Sequence, residues 1–333
     1  MQIHEEGRPL PLLAIGGATA VGKSAAALAL AELLRGEGVE VALVSADSRQ
    51  VFRGFDIGTD KLDRETLARW PHAGIDVADA DLPFTLFDWL EIARPAASTR
   101  PQGAGTGTAP RLAVVVGGTG LYHRGLLRGF LRGGSRPHDA GLRGELEALL
   151  AAEGREPLDA RLATLQPDVA VQMLNASPRR LVRALEIAFL GGDASAIEEQ
   201  PWEAPHAYVT IDDPEPVHHR AAITARIEKQ FARGLVAEAV ALAERLPPET
   251  PALSGIGYAE ALRHHAAEIT REHAIGAAAA RTWDYARRQR TWFRAEPIDE
   301  RIVGGAERSI IEIAAALHVI AQRLITAHPR GGS

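Results

Sequence analysis

The sequence predicts an α/β fold, a parallel sheet core flanked by helices and interrupted by a helical insertion domain. Three observations carry that reading. Short apolar runs alternate with helical patterns through the first half of the 333 residues. That order implies parallel strands with helices on both faces and sites at the carboxyl ends of strands. Residues Gly17-Ala18-Thr19-Ala20-Val21-Gly22-Lys23-Ser24 complete a G-x-x-x-x-G-K-S loop between such a strand and an Ala/Leu-rich helix, which makes the core P-loop NTPase-like. From about residue 136 to 200 the pattern becomes helical throughout. The expected domains are residues 8–135 with 201–330 as the P-loop core and its C-terminal helices, and 136–200 as the insertion.

Each element has its own signal. Residues 12–15 form the first strand, and the helix over 23–35 follows the loop with its N-terminus aimed at the anion site. The run 39–44 is a second strand, expected next to the first. Residues 112–116 are a third, ending in Gly117-Gly118-Thr119-Gly120. The Gly/Pro/Thr-rich segment 99–111 between them reads as a surface loop without chemistry. In the insertion, Ser177-Pro178 starts a helix, with Ser as N-cap and Pro at the first helical position. Leu181, Ala184, Leu185 and Ala188 share one face of it. Strand 207–211 returns the chain to the sheet. Ile223, Ile227 and Phe231 then make one apolar helical stripe, and the helix over 307–324 is amphipathic and expected to pack on the core.

Composition narrows the chemistry. A 46% hydrophobic fraction is ample for a packed core, and there is no cysteine, which excludes disulfides, thiolate metal sites and cysteine nucleophiles. Oxygen and nitrogen chemistry remains, with Mg²⁺ the expected metal and the Ser24 hydroxyl its expected ligand. No apolar run approaches the roughly 18 residues of a membrane span. The first eleven residues hold acids and no signal-peptide core, so a cytoplasmic protein without a membrane partner is expected. No exposed apolar stripe demands a partner, so a monomer without an obligate protein partner is expected. The net charge of −6 argues weakly against a polyanion partner, because placement matters more than sum. Arg287, Arg288, Arg290 and Arg294, with Arg281 upstream, make a basic stretch broken only by Asp284.

The loop alone leaves three classes open: an NTP-hydrolysing switch, a small-molecule kinase, and a transferase with diphosphate as leaving group. Hydrolysing P-loop proteins carry an apolar strand ending in an acid that helps hold Mg²⁺. Here strand 112–116 ends in glycines, and the early acid is Asp47 in Ser45-Ala46-Asp47-Ser48-Arg49-Gln50. Asp47 can assist a metal through water, take a proton from a nucleophile, or cap the following turn. Arg49 and Gln50 can read a base edge or phosphate, or be ordinary loop residues. Thr19 carries a hydroxyl that most such loops do not require.

The run from Ala46 to Lys61 after Gly17-Ala18-Thr19-Ala20 resembles the bacterial tRNA dimethylallyltransferases, also called tRNA isopentenyltransferases. Further matches follow in order: Pro71-His72 with Ile75-Asp76, Gly117-Gly118-Thr119-Gly120-Leu121-Tyr122, Arg183-Ala184-Leu185-Glu186, Gly255-Ile256-Gly257-Tyr258, and Arg288-Gln289 with Thr291-Trp292-Phe293-Arg294. The resemblance implies transfer of a dimethylallyl group from dimethylallyl diphosphate to N6 of adenosine 37 in a tRNA anticodon stem-loop. The loop 17–24 would then hold the donor's diphosphate. It further implies Asp47 as general base, Thr19 as a positioning group, and Arg226 as a contact to the leaving diphosphate. Spacing alone would make Arg226 a solvated helix arginine. The flipped base would be read by Asp47, Ser48 and Gln50, with Arg49, Thr119, Arg143, Arg179, Arg180, Arg287 and Arg288 as further RNA contacts. The family's Gly-Pro-Thr-Ala opening is Gly-Ala-Thr-Ala here, its Asn-Asp-Pro-Gln-Arg segment is Asn175-Ala176-Ser177-Pro178-Arg179-Arg180, and Trp283 replaces a usual Arg. The rival readings are a P-loop kinase or free-adenylate prenyltransferase, and a non-enzymatic RNA-binding module.

Overall fold

The computed structural model describes residues 8–98, 109–130, 139–194, 199–305 and 307–328. Most of the predicted 99–111 loop therefore lies outside the described residues. The chain runs β1 (Leu12–Gly16), α1 (Lys23–Gly36), β2 (Glu40–Ser45), α2 (Arg64–Arg69), β3 (His72–Ala73), α3 (Leu86–Ser98), β4 (Arg111–Val116) and α4 (Gly120–Arg128). Next come α5 (Ala140–Glu153), α6 (Glu156–Leu165), α7 (Pro167–Met173) and α8 (Pro178–Phe189). It ends with β5 (His206–Asp212), α9 (Pro216–Ala232), α10 (Leu235–Ala243), α11 (Tyr258–His265), α12 (Arg271–Arg294), β6 (Glu300–Val303) and α13 (Ile310–Ala327).

All six strands are parallel, in the order β3-β2-β4-β1-β5-β6. The central strands β1 and β4 are apolar along nearly their whole length because helices cover both faces. This order corrects one expectation. β2, which leads to Asp47, is not beside the phosphate-loop strand, because β4 lies between and pairs with both. Asp47 still reaches the loop because the chain after β4 stays tight. Ala46 N donates to Val116 O at 2.8 Å, and Thr119 N donates to Ala46 O at 3.0 Å. A Cβ on Gly117 would lie 2.1 Å from Ala46 O, so only glycine lets these two strand ends approach so closely.

The terminal helix packs one face on the core. The inward face of α13 (Ile313, Leu317, Ala321) packs in one cluster with Ala27, Leu30 and Leu34 of α1. By length and composition alone α13 is the one described helix that could cross a membrane, with a mean hydropathy of 1.5 over 18 residues. Glu312, His318, Gln322 and Arg323 interrupt its apolar run. Its start is set by Ser309, whose hydroxyl accepts from Glu312 N while the Glu312 carboxylate accepts from Ser309 N.

The chain divides into two compact units, Met1–Leu127 with Trp202–Ser333, and Arg128–Pro201. The second begins earlier than residue 136 because its two ends run side by side: Gln200 N donates to Gly129 O at 2.8 Å, and Phe130 bridges Glu199. Its core is Leu146, Leu158, Leu162, Val169, Leu181 and Leu185. Helix α8 starts at Ser177-Pro178, but Ser177 makes no side-chain cap bond, so Pro at the first helical position sets the start. Glu186, fully buried on α8, accepts from the Arg143 and Arg183 guanidiniums and from Asp139 N. Those partners offset the cost of burying the carboxylate.

Candidate active site

The carboxyl ends of β1, β2 and β4 converge on the phosphate loop. Gly17 (φ 136°) turns the chain out of β1, and a Cβ there would sit 2.2 Å from Ile211 O. Ala20 takes φ 63°, a left-handed conformation that costs a non-glycine residue about 1 to 3 kcal/mol. Gly22 precedes α1 with no side-chain cap, which leaves the helix N-terminus for an anion. Lys23 is buried, its Nζ donating to Ala18 O at 2.5 Å. Burial lowers its pKa from 10.5 to about 8. The Asp47 charge opposes that shift, and the Arg226 charge adds to it. A diphosphate beside Lys23 would stabilise the charged ammonium.

Thr19 is held by three groups distant in sequence. Its N donates to Gln289 Oε1 at 2.8 Å, its carbonyl lies 2.8 Å from His219 Nε2, and its hydroxyl accepts from Arg226 Nη1 at 2.9 Å. Arg226 is also within 3.3 Å of Asp60 Oδ2, and its side chain is 27% exposed. The solvated helix arginine that spacing suggested is instead an inward-facing cation bonded to the loop.

Asp47 Oδ1 accepts from Arg49 N at 2.8 Å and more weakly from Gln50 N at 3.4 Å. The turn-capping alternative is therefore real, and it anchors one carboxylate oxygen while the group faces the site. Ser48 N donates to Thr119 Oγ1 at 2.9 Å, tying the β2 and β4 loops together. Gln50 spends its amide on the protein, accepting from Ser45 Oγ and donating to Thr59 O. Arg49 Nη2 reaches Ala252 O at 3.3 Å and lies where a side chain on Gly255 would be.

Two cavities meet here. One, of about 80 Å³, is lined by Lys23, Ser24, His72 and Gly118. The other, of about 350 Å³, is lined by Ser48, Gly58, Gln230, Gly255 and Tyr258. Thr19, Asp47, Arg226 and Tyr285 line both. Burial first, and the Asp47 charge second, raise the Tyr285 hydroxyl to about 12, so it stays protonated and can donate.

The expected RNA contacts divide. Arg179 and Arg180 are exposed on the first turn of α8, and Arg287 and Arg288 are exposed on α12. Arg143 is already paired with Glu186. The basic stretch is not one cationic face: Arg290 turns inward toward Asp212 and His219, and Arg281 pairs with Glu260. Helical phase separates these residues, which a run of arginines in the sequence does not reveal. Sequence reasoning gave no role to Gln289, although it lies in a matched motif, nor to His219, Asp60, Tyr285 or Gln230. His219 had no signal, because His218-His219-Arg220 reads as a solvated polar run.

Among the described residues no three His, Cys, Asp or Glu side chains gather to cage a metal. Mg²⁺ does not need such a cage, because it keeps waters and takes one or two protein oxygens plus substrate phosphates. The Ser24 hydroxyl and Asp47 carboxylate on the pocket that holds Lys23 fit that requirement.

Residues 50–296 match the family model of IPP transferase. The chain is 41% identical over 300 residues to the tRNA dimethylallyltransferase of Myxococcus xanthus (strain DK1622), covering 88% of this chain and 92% of that protein. It is 40% identical to the enzyme of that name from Anaeromyxobacter dehalogenans (strain 2CP-C), covering 86% and 92%. Among solved structures, the full-length tRNA isopentenylpyrophosphate transferase of Bacillus halodurans is similar with a TM-score of 0.61 and 28% identity, over 95% of this chain and 96% of that one. A eukaryotic dimethylallyltransferase acting on tRNA shares the fold, with a TM-score of 0.74 at 21% identity, over 97% and 81% of the two chains.

Proposed function

Since the chain belongs to the tRNA dimethylallyltransferase (IPP transferase) family, we propose that it transfers the dimethylallyl group of dimethylallyl diphosphate to N6 of adenosine 37 in a tRNA anticodon stem-loop, releasing diphosphate. The observation that carries this reading is the meeting of a small pocket on the phosphate loop, which holds Lys23, and a larger cavity at Thr19, Asp47 and Arg226. A reaction that joins an anionic donor to a bulky acceptor needs two entrances and one shared wall.

In the proposed reaction the loop 17–24 and Lys23 bind the diphosphate, and the target base is flipped out of its stack into the larger cavity. The C1–O bond of the donor breaks and the N6–C1 bond forms. Asp47 accepts the proton that N6 loses, and the electron pair leaves on the diphosphate oxygen. Arg226, held against Thr19, faces the charge that grows on that oxygen, the type of contact that accelerates a step because it strengthens in the transition state. Mg²⁺, with Ser24 as the residue that would hold it, would supply charge neutralisation for the leaving group. Arg179, Arg180, Arg287 and Arg288 are the proposed phosphate contacts; Ser48 and Arg49 line the larger cavity proposed for the base, with Thr119 bonded to Ser48 N and Gln50 on the smaller pocket. Action without an obligate protein partner is part of the proposal, and a tRNA substrate fits a cytoplasmic location.

The test is incubation with Mg²⁺, dimethylallyl diphosphate and total tRNA, then nucleoside mass analysis. A dimethylallyl mass gain on adenosine is expected. Product on free AMP but none on tRNA would replace this reading with a free-adenylate enzyme.

A further inference from the structure

Thr19 is the one loop residue bonded through backbone N–H, backbone carbonyl and side chain to distant elements, and the carbonyl partner is the least expected. His219, on the first turn of α9, is fully buried. Its Nε2 lies 2.8 Å from Thr19 O, while its Nδ1 contacts Arg290 Nη2. Arg290 in turn reaches Asp213 O at 3.3 Å and lies 3.4 Å from Asp212 Oδ1. Trp283 closes the cluster, edge-on to His219 and with the Arg220 and Arg290 guanidiniums 4.3 and 5.1 Å from its ring centroid.

This arrangement fixes the imidazole's proton. A guanidinium has only donors, so Nδ1 facing Arg290 must accept, and the ring's single proton sits on Nε2 and is donated to Thr19 O. Burial, the largest influence, and the Arg290 charge lower the His219 pKa, in keeping with a neutral ring. The peptide that receives this bond joins Thr19 to Ala20, the loop's left-handed alanine.

We propose that His219, oriented by Arg290, is a positioning residue that latches the Thr19–Ala20 peptide, so that the loop amides and the Thr19 hydroxyl with Arg226 are presented together to the donor's diphosphate. The proposal rests on the prenyl-transfer reading for its substrate but not for its geometry. His219 touches no reacting atom. It acts through the loop.

The test compares His219→Leu, which removes both ring contacts, with His219→Gln, whose side-chain amide can still donate to Thr19 O. Wild type and both variants are first matched for circular dichroism and melting. Affinity for inorganic diphosphate with Mg²⁺ is then measured by calorimetry, alongside kcat and KM for prenyl transfer. His219→Leu is expected to lose about tenfold in diphosphate affinity and at least tenfold in kcat, with KM for tRNA unchanged. His219→Gln is expected to recover both to within about threefold. Placing His219→Leu on Thr19→Ala should lower kcat by less than it does on wild type, since coupled groups do not add. Unchanged diphosphate affinity in a folded His219→Leu protein would overturn the latch, as would a Gln variant as impaired as Leu. If His219→Leu does not fold, Arg290→Met is measured the same way, with the same loss expected and unchanged affinity again overturning the proposal. No product from wild type would sink the prenyl-transfer reading alone, leaving the calorimetry to decide the latch.

Discussion

The phosphate loop and the helical insertion handle their polar groups in opposite ways. At the loop, Thr19 is fixed by Gln289, His219 and Arg226 from three directions, and Lys23 is buried against Ala18. In the insertion, Glu186 collects Arg143 and Arg183 to hold the helices together, while Arg179 and Arg180 stand exposed at the start of α8. Bond-making needs groups already in place, since reorganisation adds to the barrier. Phosphate docking tolerates mobile surface cations, because it is long-ranged and insensitive to an ångström of error.

The contrast is broken most severely at Asp47. Asp47→Ala is expected to lower kcat at least on the order of 10²-fold, the scale of a general base, while diphosphate affinity stays near wild type. A single-turnover assay with near-normal rate would remove Asp47 from the chemistry. The next effect is on pH. Because folding depresses the Lys23 pKa to about 8, the unfolded chain holds this proton between about pH 8 and 10.5 while the folded chain has released it. The folded state therefore gains stability as pH rises through that window, but diphosphate affinity falls above about pH 8 as the ammonium is lost. Calorimetric titration from pH 7 to 9.5 should show that fall in wild type and not in Lys23→Met. The smallest effect belongs to the insertion. Arg179→Ala with Arg180→Ala should raise KM for tRNA a few-fold and flatten its salt dependence by about one to two units of slope, leaving kcat and diphosphate binding alone. A loss of kcat equal to that of Asp47→Ala would erase the contrast between the two regions.

What the sequence disclosed follows the range of each interaction. The loop, its flanking strand and helix, and the helical character of the described stretch from Ala140 to Phe189 were legible because each is a local pattern. Strand order was not, because whether β2 or β4 lies beside β1 depends on crossovers rather than on either strand's residues. Arg226, His219 and Gln289 meet at Thr19 from 200 or more positions away, and no spacing within α9 or α12 marks the inward-turned residues as different from their solvated neighbours. Arg290 hides for the same reason inside a run of arginines.

The insertion leaves and re-enters the core through a neck: Trp202 N donates to Leu127 O at 3.0 Å, and Gln200 N to Gly129 O at 2.8 Å. For the sheet, then, the effective contour between α4 and β5 is that of a hairpin, not of the many residues looped out beyond it. Once those two rungs close, lengthening or shortening the excursion changes the closure entropy of the core only logarithmically. The neck makes the size of the insertion almost invisible to the topology that holds the chemistry.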